Sequence, residues 1–385
     1  MSKQLEKPFE YLRRKKEEGE KEGAKFDDEI IKNWYRARAY VLERLKDIAF
    51  KPDDKKHLHV VLNGDSDLML AVARQVALSA HYINHDEENI EENKRNRTVI
   101  TIVNQNKEDI LKTLKDESCL CNLLNYGKYK LCDNEAENIG SYIDVEFLIV
   151  NECPSIDPDN PNEFLINETD VISFCNSKFE NEVYSIDTRK AVYAGHMYDL
   201  GTLIENLPAE NIHDANRYSL ALDVFQFDKL QEPLSILIND KKWNGDQVRV
   251  KNGLSNVFCA DCFESRVASI ELCRDNNKQK DTELWAKYNK VLSKSEHARW
   301  IVEKLIMGFR PLNEHERKED ERLAPYKTKR KEYRNGLKKD EEKLAHIDLC
   351  SYNDLRRINP DDMKYDSFLM LAIPKILETI RKDDE

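Results

Sequence analysis

Residues 57–82 read HLHVVLNGDSDLMLAVARQVALSAHY. HLHVVLN is an apolar run of strand length, GDSD is a turn, and LMLAVARQVALSAHY is an apolar-faced helix ending near Tyr82. A second strand, TVITIV at 98–103, follows a charged loop, and a third, IDVEFLIV at 143–150, follows the helix KEDILKTLKDESCLCNLL at 107–124. This alternation predicts a parallel sheet with right-handed crossovers, a doubly wound Rossmann-like α/β domain over residues 57–230. VISF at 171–174 and later segments, including a helix DANRYSLALDVFQFDKL at 214–230, complete or extend it.

Outward from that unit the pattern changes. The first 25 residues are dominated by Lys, Arg, Glu and Gly and read as a solvated, frayed arm. Asp27 and Asp28 suit N-caps for a helix carrying Ile30, Ile31, Trp34, Ala37, Tyr40, Val41, Leu45 and Ile48 at spacings of three and four. KPDDKK at 51–56 ends it, so residues 1–56 form an arm and an amphipathic helix. Residues 231–280 connect to a wholly helical part, 281–385. LSNVFCADCFESRVASIELC at 254–273 reads as one amphipathic helix. TELWAKYNKVLSKSEHARWIVEKLIMGF at 282–309 is a long helix with Thr282 as cap, and DSFLMLAIPKILETI at 366–380 is a helix kinked at Pro374. The expected class is α/β plus α.

The chain has 385 residues, enough for two or three domains, with Lys+Arg 61 against Asp+Glu 73 and a net charge of −12. Residues 281–385 sum to about +1, which leaves about −13 on residues 1–280, a poor surface for a phosphate backbone. Generic nucleic-acid binding is therefore disfavoured. No apolar run approaches the ~20 residues that cross a bilayer, and the charged start has no apolar core of a signal peptide. A soluble cytoplasmic protein without membrane contact is expected, and its nine cysteines are expected to be reduced thiols.

Two constellations bear on chemistry in a bland way. The turn Gly64, Asp65, Ser66 and Asp67 stands where a dinucleotide fold holds phosphate, yet only Gly64 of the glycine pattern is present, and two carboxylates repel a pyrophosphate. A capped helix start is the plainer reading, with Asp65 or Asp67 able to accept hydrogen bonds from a ribose or base. Cys259-x-x-Cys262 with Cys273, and the trio Cys119, Cys121 and Cys132, lack the second ligand pair of a structural zinc site and read as buried thiols. No nucleophile elbow, P-loop lysine or H-E-x-x-H is present, so no catalytic residue, metal or cofactor is assigned.

The third constellation is the string HARWIVEKLIMGF at 297–309. His297, Trp300, Lys304 and Gly308 fall on one helical stripe, with Phe309 beyond it. Core packing would explain Trp and Gly at this spacing, but burying Lys and His without partners is costly. The string resembles the opening of the RyR domain, the helical module of ryanodine receptors also found in bacteria and phages, whose pattern runs H-x-x-W-x-x-x-R/K-x-x-x-G-W. NGLKKDEEKLAHIDLCSYNDL at 335–355 is similar to the family's continuation, with Gly336, Lys339, Asp340, His346, Leu349, Tyr352 and Leu355 in step, and DMKYDS at 362–367 is similar to its last element through Asp366. Departures are Asn335, Lys339, Ile347, Met363 and Ser367 at motif positions, and an insertion at 310–334. Within 321–340 eight basic residues face three acidic ones, so this segment reads as a solvated hairpin or as a lid or anionic contact surface.

The resemblance implies recognition of a small nucleotide-derived ligand, ADP-ribose-like or a cyclic nucleotide signal, in a prokaryotic antiviral setting, beside a Rossmann-like partner of the TrkA N-terminal type. Trp300, Phe309 and Tyr352 suit base or ribose stacking, and Lys304, Lys339 and Arg310 suit phosphate, with His297, Asp340 and His346 completing the motif set. An NAD(P)-linked or nucleotide-processing enzyme and an interaction scaffold are the alternatives, and homo-oligomerisation stays open.

Overall fold

The computed structural model describes residues 29–89, 95–106, 120–131, 142–179, 250–275, 280–340 and 342–384, with a few isolated positions between them. The N-terminal arm with Asp27 and Asp28, Cys119 and Cys132, and the helix expected at 214–230 lie outside these residues.

Helix α1, Glu29–Leu45, buries Trp34, Ala37, Tyr40, Val41 and Leu45 on one face, as the spacing predicts. Each large side chain so placed contributes about 1.5–3 kcal/mol by leaving water. Beyond it come β1 (His59–Asn63), α2 (Asp67–Ser79), β2 (Thr98–Val103), α3 (Cys121–Tyr126), β3 (Lys128–Leu131), β4 (Asn134–Glu135), β5 (Val145–Val150), β6 (Glu163–Asn167) and α4 (Glu168–Ser177). The six strands form one sheet in the order β4-β3-β5-β2-β1-β6. Every pair is parallel except β3 with β4. Helix α2 makes the crossover from β1 to β2 that a parallel pair requires, and α1 packs along α2 and reaches α4. The runs VVL and VITIV are nearly unbroken in apolar character because both faces of the central strands are covered.

Local assignments differ in three places. VISF at 171–174 lies inside α4, and the strand is EFLIN just before it, because Asn167 caps the helix reciprocally with Asp170 and ends the strand there. The short strands β3, KYKL, and β4, NE, do not stand out in the pattern, and they form the sheet's far edge. Residues 254–273 make two helices, α5 (Val250–Asp261) and α6 (Phe263–Leu272), instead of one. At Cys262 the backbone N–H turns to the Cys259 carbonyl (3.1 Å), while the thiol faces the carbonyls of Leu78 and Ser79 (3.6 Å each), so contact with the end of α2 is bought with a tightened turn.

Gly127 joins α3 to β3, and a Cβ there would run into the Leu123 carbonyl oxygen. Gly127→Ala is expected to cost about 1–3 kcal/mol through backbone displacement. A urea midpoint equal to the parent's would show that the turn yields freely.

The C-terminal part contains α7 (Asp281–Ile306), β7 (Arg310–Pro311), α8 (Glu314–Leu323), α9 (Lys327–Lys339), β8 (Ala345–His346), α10 (Tyr352–Ile358), a 3₁₀ turn (Pro360–Asp362) and α11 (Met363–Asp384). Lys280 occupies the N-cap position of α7, which puts Thr282 inside the first turn between Asp281 and Glu283; these carboxylates complement the helix dipole and stand in for a side-chain cap. Helix α11 continues through Pro374. It packs along α7 through Leu284, Trp285, Leu292, Leu369, Met370 and Ile373. Phe258, Ile301, Val302, Leu305 and Ile306 belong to the same buried cluster as Val60, Leu62, Ile100, Phe147 and Ile149, so α5 and α7 share the core of the sheet. No described helix is long and apolar enough to cross a membrane.

Candidate functional site

Helix α7 presents two opposed chemistries. One side carries Glu296, Arg299 and Glu303, spaced three and four apart and fully buried. Arg299 donates to Glu296 through Nε (3.0 Å) and Nη2 (2.8 Å), and to Glu303 through Nη1 (2.7 Å). Arg266 of α6 donates to Glu296 (2.7 Å), and Ser255 of α5 and Lys304 donate to Glu303 (2.7 and 2.8 Å). Burial alone would raise the Glu296 carboxyl, but Arg299 and Arg266 pull it down to about 2. This network ties α5, α6 and α7 together.

The other side carries His297, Trp300 and Lys304. The His297 ring lies nearly parallel to Trp300 (5.9 Å, 16°) and edge-on to Tyr352 (5.6 Å), and Trp300 meets the His346 ring edge-on at 4.8 Å. Phe309 joins at 6.2 Å from His346. Gly308 has φ +85, and only a residue without Cβ enters that region cheaply; the turn brings the Phe309 N–H back to the Lys304 carbonyl (2.9 Å). Phe309 thereby lies beneath the Lys304 ammonium, which sits 5.6 Å from the Trp300 ring and 6.0 Å from the Phe309 ring. The parallel pairing of β7 with β8, Arg310 opposite Ala345 and Pro311 opposite His346, fixes His346 against this turn.

His346 Nδ1 accepts the Asp348 N–H at 3.2 Å, which leaves the ring proton on Nε2. Burial, followed by the charges of Lys338, Lys304 and Arg334, holds His346 well below the ordinary histidine range. Burial likewise pushes the Lys338 amine down, with Asp348 and Asp362 opposing. The result is a half-exposed aromatic nest, Trp300 and Phe309 around a neutral imidazole, which feels the charges of Lys338, Lys304 and Arg334, the last two paired with Glu303 and Asp320. Beside it, burial and the neighbouring Asp348 push Asp362 up to about 7, and Asn359 donates to both carboxyls (2.9 and 2.6 Å).

The motif residues do not all meet there. His297, Trp300, Lys304, Phe309 and His346 come together, and Tyr352 backs His297 from the buried start of α10. His297 donates from Nε2 to the Cys350 carbonyl (3.0 Å) and holds Asp366 of α11 at 3.5 Å. Burial would lower its pKa, but the bonds to Asp366 and Cys350 carry it well above the usual value, so this imidazolium clamps three segments and positions Trp300. Arg310 is engaged by both oxygens of Glu316 (2.7 and 2.8 Å). Lys339 is exposed, and Asp340 closes its own turn on the N–H groups of Glu342 and Lys343 (3.0 and 3.2 Å). The cation whose charge acts most on His346 is the preceding residue, Lys338, which the motif pattern does not include. A basic residue one turn from Arg334 on α9 is the signal that would have found it.

Residues 310–334 form most of a helical hairpin, α8 with α9, closed by Asp320 against Arg330 and Arg334; Lys327, Lys329 and Lys331 are exposed. The turn at Gly64, Asp65, Ser66 and Asp67 belongs to the end of β1. Gly64 has φ +123, Ser66 Oγ accepts the Met69 N–H (3.3 Å) as helix cap, and Asp65 and Asp67 are exposed. Beside it, at the point where strand order reverses about β1, Asn63 donates to Asn167 Oδ1 at 2.9 Å. Cys259, Cys262 and Cys273 are buried free thiols, and burial pushes Cys262 up to about 12; no cluster fit for a metal ion occurs among the described residues.

No family model, curated protein or solved structure matches this chain.

Proposed function

We propose that the protein is a cytoplasmic sensor that binds a small, anionic, ring-bearing ligand of the nucleotide-derived class in the nest of Trp300, Phe309 and His346, in the manner of an RyR-like module. The observation that carries this reading is the uncharged His346 held between two half-exposed aromatic rings with Lys304, Lys338 and Arg334 around it. Lys304 is paired with Glu303 and Arg334 with Asp320, whereas Lys338 forms no ion pair among the described residues, so an anion at the nest would favour its charged form. Aromatic faces accept a base or ribose, while ammonium and guanidinium groups meet phosphate. The His346 Nε2–H adds a neutral donor, and the residues present serve recognition more readily than bond breaking.

A signal would leave through α7, since His297 joins the nest to Asp366 of α11 and Lys304 joins it to the buried Glu303. The turn at Gly64 to Asp67 is read as structural. The test is thermal denaturation against NAD, NADP, ADP-ribose, cyclic ADP-ribose isomers and cyclic oligonucleotides, followed by product analysis. One such ligand at 100 times its dissociation constant should add about 2.7 kcal/mol to the folded state and return unaltered, with Gly64→Val binding it equally. Conversion of the ligand would move the reading to an enzyme, and stabilisation abolished by Gly64→Val would move the site to the sheet.

A further inference from the structure

Asp348, buried in the loop after β8, and Asp362, half-buried at the end of the 3₁₀ turn, meet as a carboxyl pair beside the nest. Asn359 spans them, its Nδ2 donating to Asp348 Oδ1 (2.9 Å) and to Asp362 Oδ2 (2.6 Å), and Asp362 is hydrogen-bonded to Asp348 directly. One amide gives each carboxyl a single bond and no charge. Two carboxylates in contact repel each other, so a proton held between them is the arrangement that burial favours. The pair is also tied to the nest, since Asp348 donates its N–H to His346 Nδ1 (3.2 Å) and holds Oδ2 3.6 Å from the same atom.

Other charges around the pair are accounted for. Arg334 and Lys338 of α9 both act on it, but Arg334 is committed to Asp320 (2.7 and 3.0 Å). On α10 and α11, which flank the 3₁₀ turn, Arg357 pairs with Asp354, Lys364 lies over the Tyr365 ring and Asp366 holds His297; Arg356 and Asp361 are exposed. Lys338 alone of the two α9 cations has no ion pair among the described residues, and its four-carbon stem lets the amine move. Two counter-charges are open to it, an anion in the nest or the carboxyl pair after its proton has left.

We propose that Asp348 and Asp362 form a proton-operated gate on Lys338. While they share a proton, Lys338 is left to an anion in the nest; once the proton leaves, the added carboxylate charge holds the ammonium and opposes the anion. Burial and then Asp348 push Asp362 up to about 7, so the gate works around neutral pH. Linkage makes the effect reciprocal: a bound anion favours the protonated pair. The consequence for affinity rests on the nucleotide reading of the nest, whereas the gate itself does not.

The experiment follows the Lys338 side chain of the full chain by nuclear magnetic resonance with ¹³C-lysine, assigned from Lys338→Met, between pH 5 and 9 without ligand. The expected result is a step near pH 7. It should vanish in Asp362→Asn, whose amide still donates to Asp348 as the protonated acid does, and in Asp348→Asn. No step in the parent protein, or a step that persists in either variant, would overturn the gate, and the parent spectrum decides even where a variant fails to fold. ADP-ribose, whose diphosphate keeps its charge over this range, is the second probe. Its affinity for the parent should fall about tenfold from pH 6 to pH 8, while Asp362→Asn keeps the affinity of pH 6. An equal fall in both proteins would also overturn the gate. A Lys338 step without any ADP-ribose binding would leave the gate standing and count against the nucleotide reading instead.

Discussion

Arg299→Met is expected to destabilise the protein by about 3–5 kcal/mol, the cost of removing the one buried cation that Glu296 and Glu303 share, with Arg266 and Lys304 left to compensate each in part. Arg299 is fully buried and bonds both Glu296 and Glu303, and no water reaches either carboxylate to replace it. Arg322→Met is the control. Arg322 pairs with Glu319 at the surface of α8, where ion pairs contribute at most about 1 kcal/mol, so its urea midpoint should stay near the parent's. The same network sets the acid limit. Glu296 titrates near 2 in the folded protein against an ordinary 4.5, so its stabilisation is present in full above pH 4.5 and is lost as pH falls from there toward 2. Full retention of stability at pH 2.5, relative to pH 6, would contradict this.

The second large effect concerns Lys338. Its amine is half-buried, its pKa is pushed down by burial, and among the described residues it forms no ion pair. Lys338→Met should therefore fold as well as the parent or better, yet lower affinity for a nucleotide-derived anion by tenfold or more, the loss of one charge-assisted contact. Lys304→Met should lower affinity similarly but also reduce stability, because Lys304 is a partner of the buried Glu303. Lys339→Met, at the exposed neighbouring position, should change neither. Calorimetric titration of the three variants separates a ligand contact from a general charge effect, since equal losses in Lys338→Met and Lys339→Met would point to bulk electrostatics.

Much of this architecture is legible in the sequence where burial is two-sided and continuous. VVL and TVITIV announce central parallel strands, and the three-four spacing from Trp34 to Leu45 announces an amphipathic helix. The edge strands are not legible, since KYKL and NE are short and polar, and KYKL owes its conformation to β5 beside it and NE to KYKL. EFLIN was hidden by the more apolar VISF four residues on, although the Asn167 and Asp170 capping pair marks the change from strand to helix. In the candidate site, the stripe from His297 to Phe309 is visible because a helix places residues three and four apart together. Lys338 and the engagement of Arg310 by Glu316 depend on how a hairpin folds back over β8, and no local pattern encodes that approach. The Glu296, Arg299 and Glu303 series is ordinary surface spacing by sequence, and only the arrival of α5 and α6 turns it into a buried network.

Nuclear magnetic resonance of the His346 imidazole measures the nest itself. Cations and burial keep this ring neutral, so a phosphate bound among Lys304, Lys338 and Arg334 must cancel part of their field and favour the imidazolium. With a saturating nucleotide-derived ligand, the His346 titration midpoint should rise and its ring resonances should shift, while the ring resonances of His59, on the sheet between Glu163 and Thr101, keep their positions. A ligand that binds the protein and leaves the His346 midpoint and resonances where they were would contradict the assignment of the nest as the binding site.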